Sequence, residues 1–312
     1  MIDLSIIIVN WNAKGYLRAC VESICDAGAK GWEIIVADNG SIDGSGSEAK
    51  ETFPFIHVIQ NRENLGFAKA VNQGLKEASG RYVLLLNPDT RVRNGAIQQL
   101  VSFMDRCSDA GIAGVQLLNP DGSKQNSIAR FPSLATELLN KSLLRRLFPK
   151  RFPGKERNYS EPIEVDSVIG ACMMVRRQAL NQVGILDEDY FLFLEETDWC
   201  YRMKRAGWKI YHVPQAEVDH FQGKSAEEVK KKARVEFYRS RYHFFKKNRG
   251  PWQWLILLIG LLIKLTAEFF LTGIGNLLTF FAVQKLKGRF AVYAYLLWWH
   301  LRFCPEGMGL RK

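Results

Sequence analysis

Three short apolar runs, each long enough for one buried strand and each ending abruptly in polar residues, constrain this chain most. Leu4–Val9 stops at Asn10-Trp11-Asn12, Glu33–Ala37 at Asp38-Asn39-Gly40-Ser41, and Tyr82–Leu86 at Asn87-Pro88-Asp89. Nearly continuous apolar runs of this length read as strands covered on both faces. Between the first two, Tyr16, Leu17, Ala19, Cys20, Val21 and Ile24 fall at helical spacing; a strand near His57–Gln60 and a helix from about Phe67 to Ala78 follow. Strand and helix in repetition predict an α/β fold built on a mostly parallel sheet flanked by helices. In open sheets of this kind ligands bind at the carboxyl ends of the strands, where these polar clusters fall.

Beyond that frame the signals are uneven. From Asn119 to Pro162 the chain reads as long loops carrying one helix around Leu134–Leu147. Regular structure resumes over Asp166–Arg176, with a helix starting near Arg177. A length of 312 residues suits one large core plus an appended segment, divided here into a catalytic domain, 1–248, and a basic and hydrophobic helical tail, 249–312.

The net charge of +11 points to an anionic partner, and the cations crowd into Lys141–Arg157 and Lys224–Arg249. The second run leads into Trp252–Val283, apolar over Leu255–Ile263 and then interrupted by Lys264, Glu268 and Asn276. A spanning helix needs about 20 mostly apolar residues, so this C-terminal hydrophobic helical extension better suits the membrane interface. Trp252, Trp254, Trp298 and Trp299 suit the headgroup level. The plain alternative is a hydrophobic helical hairpin packed on the core. Six cysteines without a C-x-x-C pair indicate neither a disulfide framework nor a structural zinc, which fits a reducing cytosol. Met1–Asn10 carries Asp3 and too short an apolar run for a signal-peptide core, so the expected location is the cytoplasmic face of the membrane.

Five clusters carry chemistry, each with an ordinary alternative. Asp38, with Ser41 nearby, can accept from a nucleobase or ribose, or be part of a plain turn. Asn61-Arg-Glu-Asn64-Leu-Gly66-Phe67 can bring backbone close to a diphosphate, or simply start a helix with Asn64 as cap. Asp89 can hold a hard divalent cation, yet Asn-Pro-Asp is also a common turn. Glu195, Glu196 and Asp198 place three carboxylates in four positions, which raises at least one pKa unless a cation or a proton-transfer role compensates. Glu195 and Asp198 share a helix face while Glu196 points elsewhere; acids at a helix N-terminus are the ordinary reading. His220, about two dozen residues on, can complete a metal site with Asp89 or be structural.

In this order the blocks resemble glycosyltransferase family 2 over roughly Ile6 to Phe245, closest to its rhamnosyltransferase-like branch. The resemblance implies the glycosyltransferase-A fold and an inverting transfer from a nucleotide-diphosphate sugar, dTDP- or UDP-linked, to a lipid-linked or glycan acceptor. It also implies a divalent cation, Mn²⁺ or Mg²⁺, held by Asp89 and His220. Donor-binding roles fall on Asn10, Asp38, Ser41, Asn64, Gly66, Phe67 and Asn87, and the acceptor side on Gly170-Ala171-Cys172. The family's Asp-x-Asp becomes Asn87-Pro88-Asp89, without the first acid. Its Glu-Asp-x-Asp becomes Glu195-Glu196-Thr197-Asp198, which assigns catalysis to these acids with Glu196 as base. Ser127–Ser133, with Arg130 and Pro132, resembles a feature of the rhamnosyltransferase-like branch and points to a dTDP donor. A nucleotidyltransferase would carry a Gly- and Lys/Arg-rich loop where Asn10–Gly15 stands. A non-enzymatic lipid- or nucleic-acid-binding protein gives no reason to cluster three acids, and nucleic acid is not expected as a partner.

Overall fold

A computed structural model describes residues 2–28, 31–148, 159–221 and 230–311. Parts of the two basic runs, 149–157 and 224–229, lie outside the described residues. The described residues fall into two compact units: 2–131, 159–190 and 195–221 in the first; 132–148, 191–194 and 230–311 in the second.

The strands are β1 (Leu4–Asn10), β2 (Glu33–Asp38), β3 (His57–Gln60), β4 (Tyr82–Leu86), β5 (Thr90–Val92), β6 (Ala110–Leu118), β7 (Ile128–Ala129), β8 (Ile163–Glu164), β9 (Ser167–Val168), β10 (Cys172–Arg176) and β11 (Lys209–His220). The main sheet of the first unit runs β3-β2-β1-β4-β10-β6-β11-β5, with β8 on β11, while β7 and β9 pair separately. β1 to β4 are mutually parallel where they touch, as are β6 and β11. β10 is antiparallel to both of its neighbours, so the sheet is mixed rather than uniformly parallel.

Every residue of β1 is buried because apolar layers cover both faces. Ile6 and Ile8 face one layer with Leu17, Val21 and Leu84; Ile7 and Val9 face the other with Val71, Leu85 and Trp199. The period of two along a strand makes this division. Parallel registry then sets Asn10 beside Asp38, and Asp38 beside Gln60, at one edge of the sheet.

In the second unit the single helix expected around Leu134–Leu147 is two, Leu134–Leu138 and Lys141–Leu147. Asn140 interrupts it: its Oδ1 accepts from Ser142 N at 2.9 Å and Leu143 N at 3.2 Å, capping a new helix instead of continuing the old one. Lys264, Glu268 and Asn276 do not break the apolar segment, which forms one continuous helix, Pro251–Leu278, followed after a short turn by Gln284–Leu301. Lys264 is exposed, Glu268 pairs with Arg289 at 3.0 Å, and Asn276 is buried. The longer helix, about 42 Å at 1.5 Å per residue, buries Leu257, Leu261 and Leu265 on one side. Its other side exposes Trp252, Ile256, Ile259, Ile263, Phe270, Ile274 and Leu277, a stripe recurring every three to four residues except between Ile263 and Phe270, where Thr266 and Ala267 stand. Among the described residues this is the one helix long and apolar enough to cross a membrane, with a mean hydropathy of 2.1 over its most apolar 18 residues.

Candidate active site

The carboxyl ends of β1, β2 and β3 form a polar cradle. Asp38, buried, accepts from Asn10 Nδ2 at 3.0 Å, from Gln60 Nε2 at 2.7 Å and, at short range, from Ser41 Oγ. Asn10 Nδ2 also reaches Ser45 Oγ at 2.8 Å. A carboxylate offers about four lone-pair directions, so these three neutral donors leave room for one more. A Cβ at Gly46 would run into this carboxylate, so the first turn of the helix Ser45–Thr52 needs glycine to approach it.

Asn39 couples this cradle to the next loop. Its Nδ2 donates to Asn64 Oδ1 at 2.9 Å and Gly66 O at 3.2 Å, and its Oδ1 accepts from Asn61 Nδ2 and Leu65 N. Asn64 is not the helix cap. Its Oδ1 accepts from Gly66 N at 2.9 Å in a tight Asx turn, and the N-cap of Phe67–Glu77 is Gly66. Gly66 has φ 90°, a backbone region that favours glycine, and this brings the start of the helix to the end of β2.

A second group gathers after β4. Asn87 N donates to Ala171 O at 2.9 Å, which fixes the Asn87-Pro88-Asp89 turn against Gly170-Ala171-Cys172. In the antiparallel β5–β11 ladder His220 lies opposite Thr90, and Phe221 N donates to Asp89 O at 2.9 Å. That registry sets His220 Nε2 3.4 Å from Asp89 Oδ1, with both side chains partly open. His220 Nδ1 lies 3.1 Å from Gln125 Oε1. As the amide oxygen can only accept, Nδ1 donates to it, which orients the ring with Nε2 toward Asp89.

The three acids have three environments. Asp198 is fully buried in an ion pair with Arg202 Nε at 2.8 Å; Arg202 also holds the carbonyls of Val183 and Ile185, so this carboxylate secures the scaffold. Glu195 is 5% exposed, and its Oε2 has no hydrogen-bond partner among the described residues. Burial, with the Glu196 charge second, pushes the Glu195 carboxyl well above the usual carboxylate range. Glu196 retains some surface access and lies against Gly170, where a Cβ would come within 3.3 Å of its Cγ. Burial raises its pKa too, partly offset by hydrogen bonds from its own backbone and from Thr197.

A consequence for stability follows from Glu195. A carboxyl whose folded pKa is raised contributes fully below its unfolded pKa, and that contribution is lost as pH rises through the folded value. Glu195→Gln cannot ionise, so its melting temperature relative to the parent is expected to improve from pH 5 to pH 8. Thermal melts at the two pH values check this; a relative loss on going to pH 8 contradicts it.

The motif residues thus form one group at the ends of β1 to β3 and another around the turn after β4. Gln60, Asn39 and Gln125 were not among the expected residues. Gln60 was within reach, being opposite Asp38 once β2 and β3 are paired. Gln125 sits 95 positions from His220 and carries no local signal.

The model of the family described as "Glycosyl transferase family 2" matches residues 5–184. An N-acetylglucosaminyl-diphospho-decaprenol L-rhamnosyltransferase of Mycobacterium tuberculosis is 30% identical over 80% of this chain and 86% of its own length. The rhamnosyltransferase WbbL of Escherichia coli K12 is 24% identical over 69% of this chain and 82% of that protein. Among solved structures, GalNAc-T7 with UDP, GalNAc and Mn²⁺ superposes with TM-score 0.55 at 18% identity, over 70% of this chain and 43% of that one. Staphylococcus aureus TarS superposes with TM-score 0.52 at 17% identity, over 77% of this chain and 38% of that one. The two structures share the fold, and this chain spans about two-fifths of their length.

Proposed function

The chain belongs to glycosyltransferase family 2, alongside rhamnosyltransferases, and from that premise we propose an inverting, divalent-cation-dependent transfer of a sugar, rhamnose from a dTDP donor or a sugar from a UDP donor, onto a lipid-linked or polysaccharide acceptor in cell-envelope glycan synthesis. The observation that carries the reading is the Glu196 side chain packed against Gly170, one residue from the Ala171 carbonyl that anchors the turn to Asp89, which His220 faces across the β5–β11 ladder.

The pair Asp89 and His220 fits a hard cation with few protein ligands. A carboxylate oxygen and an imidazole nitrogen face one another, and the far ring nitrogen is held by Gln125. The cation, Mn²⁺ or Mg²⁺, would neutralise charge on the leaving diphosphate. Asp38, Asn10 and Ser41 suit the nucleoside end, and the helix N-terminus at Gly66–Phe67 suits the diphosphate. Glu196 removes the proton from the attacking acceptor hydroxyl while that oxygen bonds to the anomeric carbon and the nucleoside diphosphate leaves. One displacement inverts the centre. A base whose pKa burial has raised works closer to neutral pH than an ordinary glutamate. Glu195 and Asp198, the other two acids of the block, support this base: Asp198 through Arg202, and Glu195 by packing within the same helix turn.

The division of labour between 1–248 and 249–312 is part of the reading. The exposed apolar stripe of Pro251–Leu278, preceded by the basic helix Lys230–Asn248, would rest on the cytoplasmic face of the membrane, where a lipid-linked acceptor is presented. An exposed Lys264 halfway along the helix favours lying in the interface over crossing, since a lysine at the bilayer centre costs about 2.5–3.5 kcal/mol on insertion scales.

Calorimetric titration with UDP, dTDP, GDP and CMP, each with and without Mn²⁺, tests the site. Cation-dependent binding of dTDP or UDP is the expected result and identifies the donor class. Binding of none of the four removes the catalytic reading.

A further inference from the structure

We propose that the tip of the C-terminal hairpin, Thr279–Val283, is a wedge that enters the headgroup–acyl boundary of an anionic bilayer. The proposal rests on the membrane reading of the second unit and specifies which part of it penetrates.

The tip displays apolar surface that its own unit does not cover. Phe280 is 92% exposed, and Phe281, Val283 and the preceding Leu277 and Leu278 are exposed as well. Two consecutive aromatic residues adopt left-handed backbone there, Phe280 at φ 46° and Phe281 at φ 59°, a region that L side chains avoid. A turn made only to reverse the chain would use glycine or asparagine at such positions. Exposed phenylalanines in an unfavourable conformation call for a medium that rewards their exposure.

The backbone of the tip is already prepared to leave water. Thr279 N donates to Gly275 O, Phe280 N to Leu277 O, Phe281 N to Asn276 O and Ala282 N to Thr279 O, at 2.8–3.1 Å, and the Thr279 hydroxyl is returned to Gly275 O. Four consecutive turn N–H groups therefore need no water, and unsatisfied N–H groups are what keeps most loops out of hydrocarbon. The hairpin behind the tip is closed by Phe269 stacked on Phe290 at 4.8 Å and by Gly273 and Gly275, whose missing side chains leave room for Phe290 and Leu286. This gives the tip a stiff support.

Charge selects the occupant. Lys285 and Lys287 are exposed in the first turn of the returning helix, immediately behind the apolar tip. With the phenylalanines in the boundary region, these lysines reach the phosphate level, where anionic headgroups attract them. A second copy of the chain packed tip to tip would instead bring like charges together.

The test compares the full chain with Phe280→Ser/Phe281→Ser and Lys285→Glu/Lys287→Glu by flotation on phosphatidylcholine vesicles, with and without phosphatidylglycerol, and by light scattering for oligomeric state. Serine at both tip positions should lower the partition coefficient by roughly a hundredfold, since burying a phenylalanine is worth about tenfold or more, with an unchanged melting temperature. The lysine variant should lose the preference for phosphatidylglycerol and keep weaker binding to both vesicles. Flotation of the phenylalanine variant equal to the parent's overturns the wedge and leaves the membrane reading intact. Failure of the parent to float on either vesicle defeats both. A change from dimer to monomer in the phenylalanine variant, with flotation unaltered, assigns the tip to self-association and also overturns the wedge.

Discussion

Glu196→Gln lowers kcat by roughly 10²–10⁴-fold, the range expected for removing a positioned general base, and leaves binding of the nucleoside diphosphate within about twofold. Glutamine keeps the size of the side chain and its contact with Gly170, so the fold and the donor cradle stay as they are. It cannot accept the acceptor's proton. The pH profile adds a second readout. Glu196 works only when ionised, and burial raises its pKa, so kcat of the parent should fall toward acid along a limb lying above the ordinary glutamate range. The residual activity of the variant should lack that limb. Rates within threefold of the parent, or an unaltered acid limb, would place the base elsewhere.

The second large effect is expected at Asp89. Asp89→Ala should abolish the cation dependence of diphosphate binding and lower kcat/KM by roughly a hundredfold or more, because a ligand matters at least as much as the 10–100-fold in metal affinity typical of its supporting partners. The fold should survive: the Asp89 side chain is partly open, and its carbonyl still accepts from Phe221 N after the substitution. Gln125→Ala provides the graded control. With His220 Nδ1 released, Mn²⁺ affinity should fall by roughly 10–100-fold without loss of the acid limb assigned to Glu196. Isothermal titration with Mn²⁺ at fixed dTDP or UDP separates the two variants. Cation-dependent binding that persists unchanged in Asp89→Ala would remove this residue from the site.

These expectations rest on a site that is legible in the chain to different depths. Asp38, Asn87, Asp89 and Glu196 stand out because each follows a strong apolar run or lies in an acidic block; each has an ordinary structural alternative, and their joint order is what favours the site. Helical spacing separates Asp198 from Glu196 but does not say what Asp198 does. Its pairing with Arg202 depends on a helical i,i+4 geometry and on the carbonyls of Val183 and Ile185 converging on the same guanidinium. The alternative of Asn64 as helix cap is set aside by the structure: an Asx turn and an N-cap share a composition, and the positive φ of Gly66 separates them. The helix expected around Leu134–Leu147 was divided by Asn140, where a side chain competes for backbone N–H groups that periodicity does not register.

By itself the sequence determined the strands β1 to β4, the burial of β1, β2 and β4 and the edge of the sheet where polar residues collect, because apolar periodicity and chain punctuation are local properties; the long strands β6 and β11 were not read from it. It also determined that the C-terminal segment is helical and apolar. The tertiary structure alone decided what stands next to what: Asp89 beside His220 through the β5–β11 registry, Glu196 on Gly170, Gln125 behind the imidazole, and the insertion of antiparallel β10 between β4 and β6. Contacts between residues distant in the chain depend on strand order and register, and those follow from the packing of the whole sheet rather than from any stretch of it.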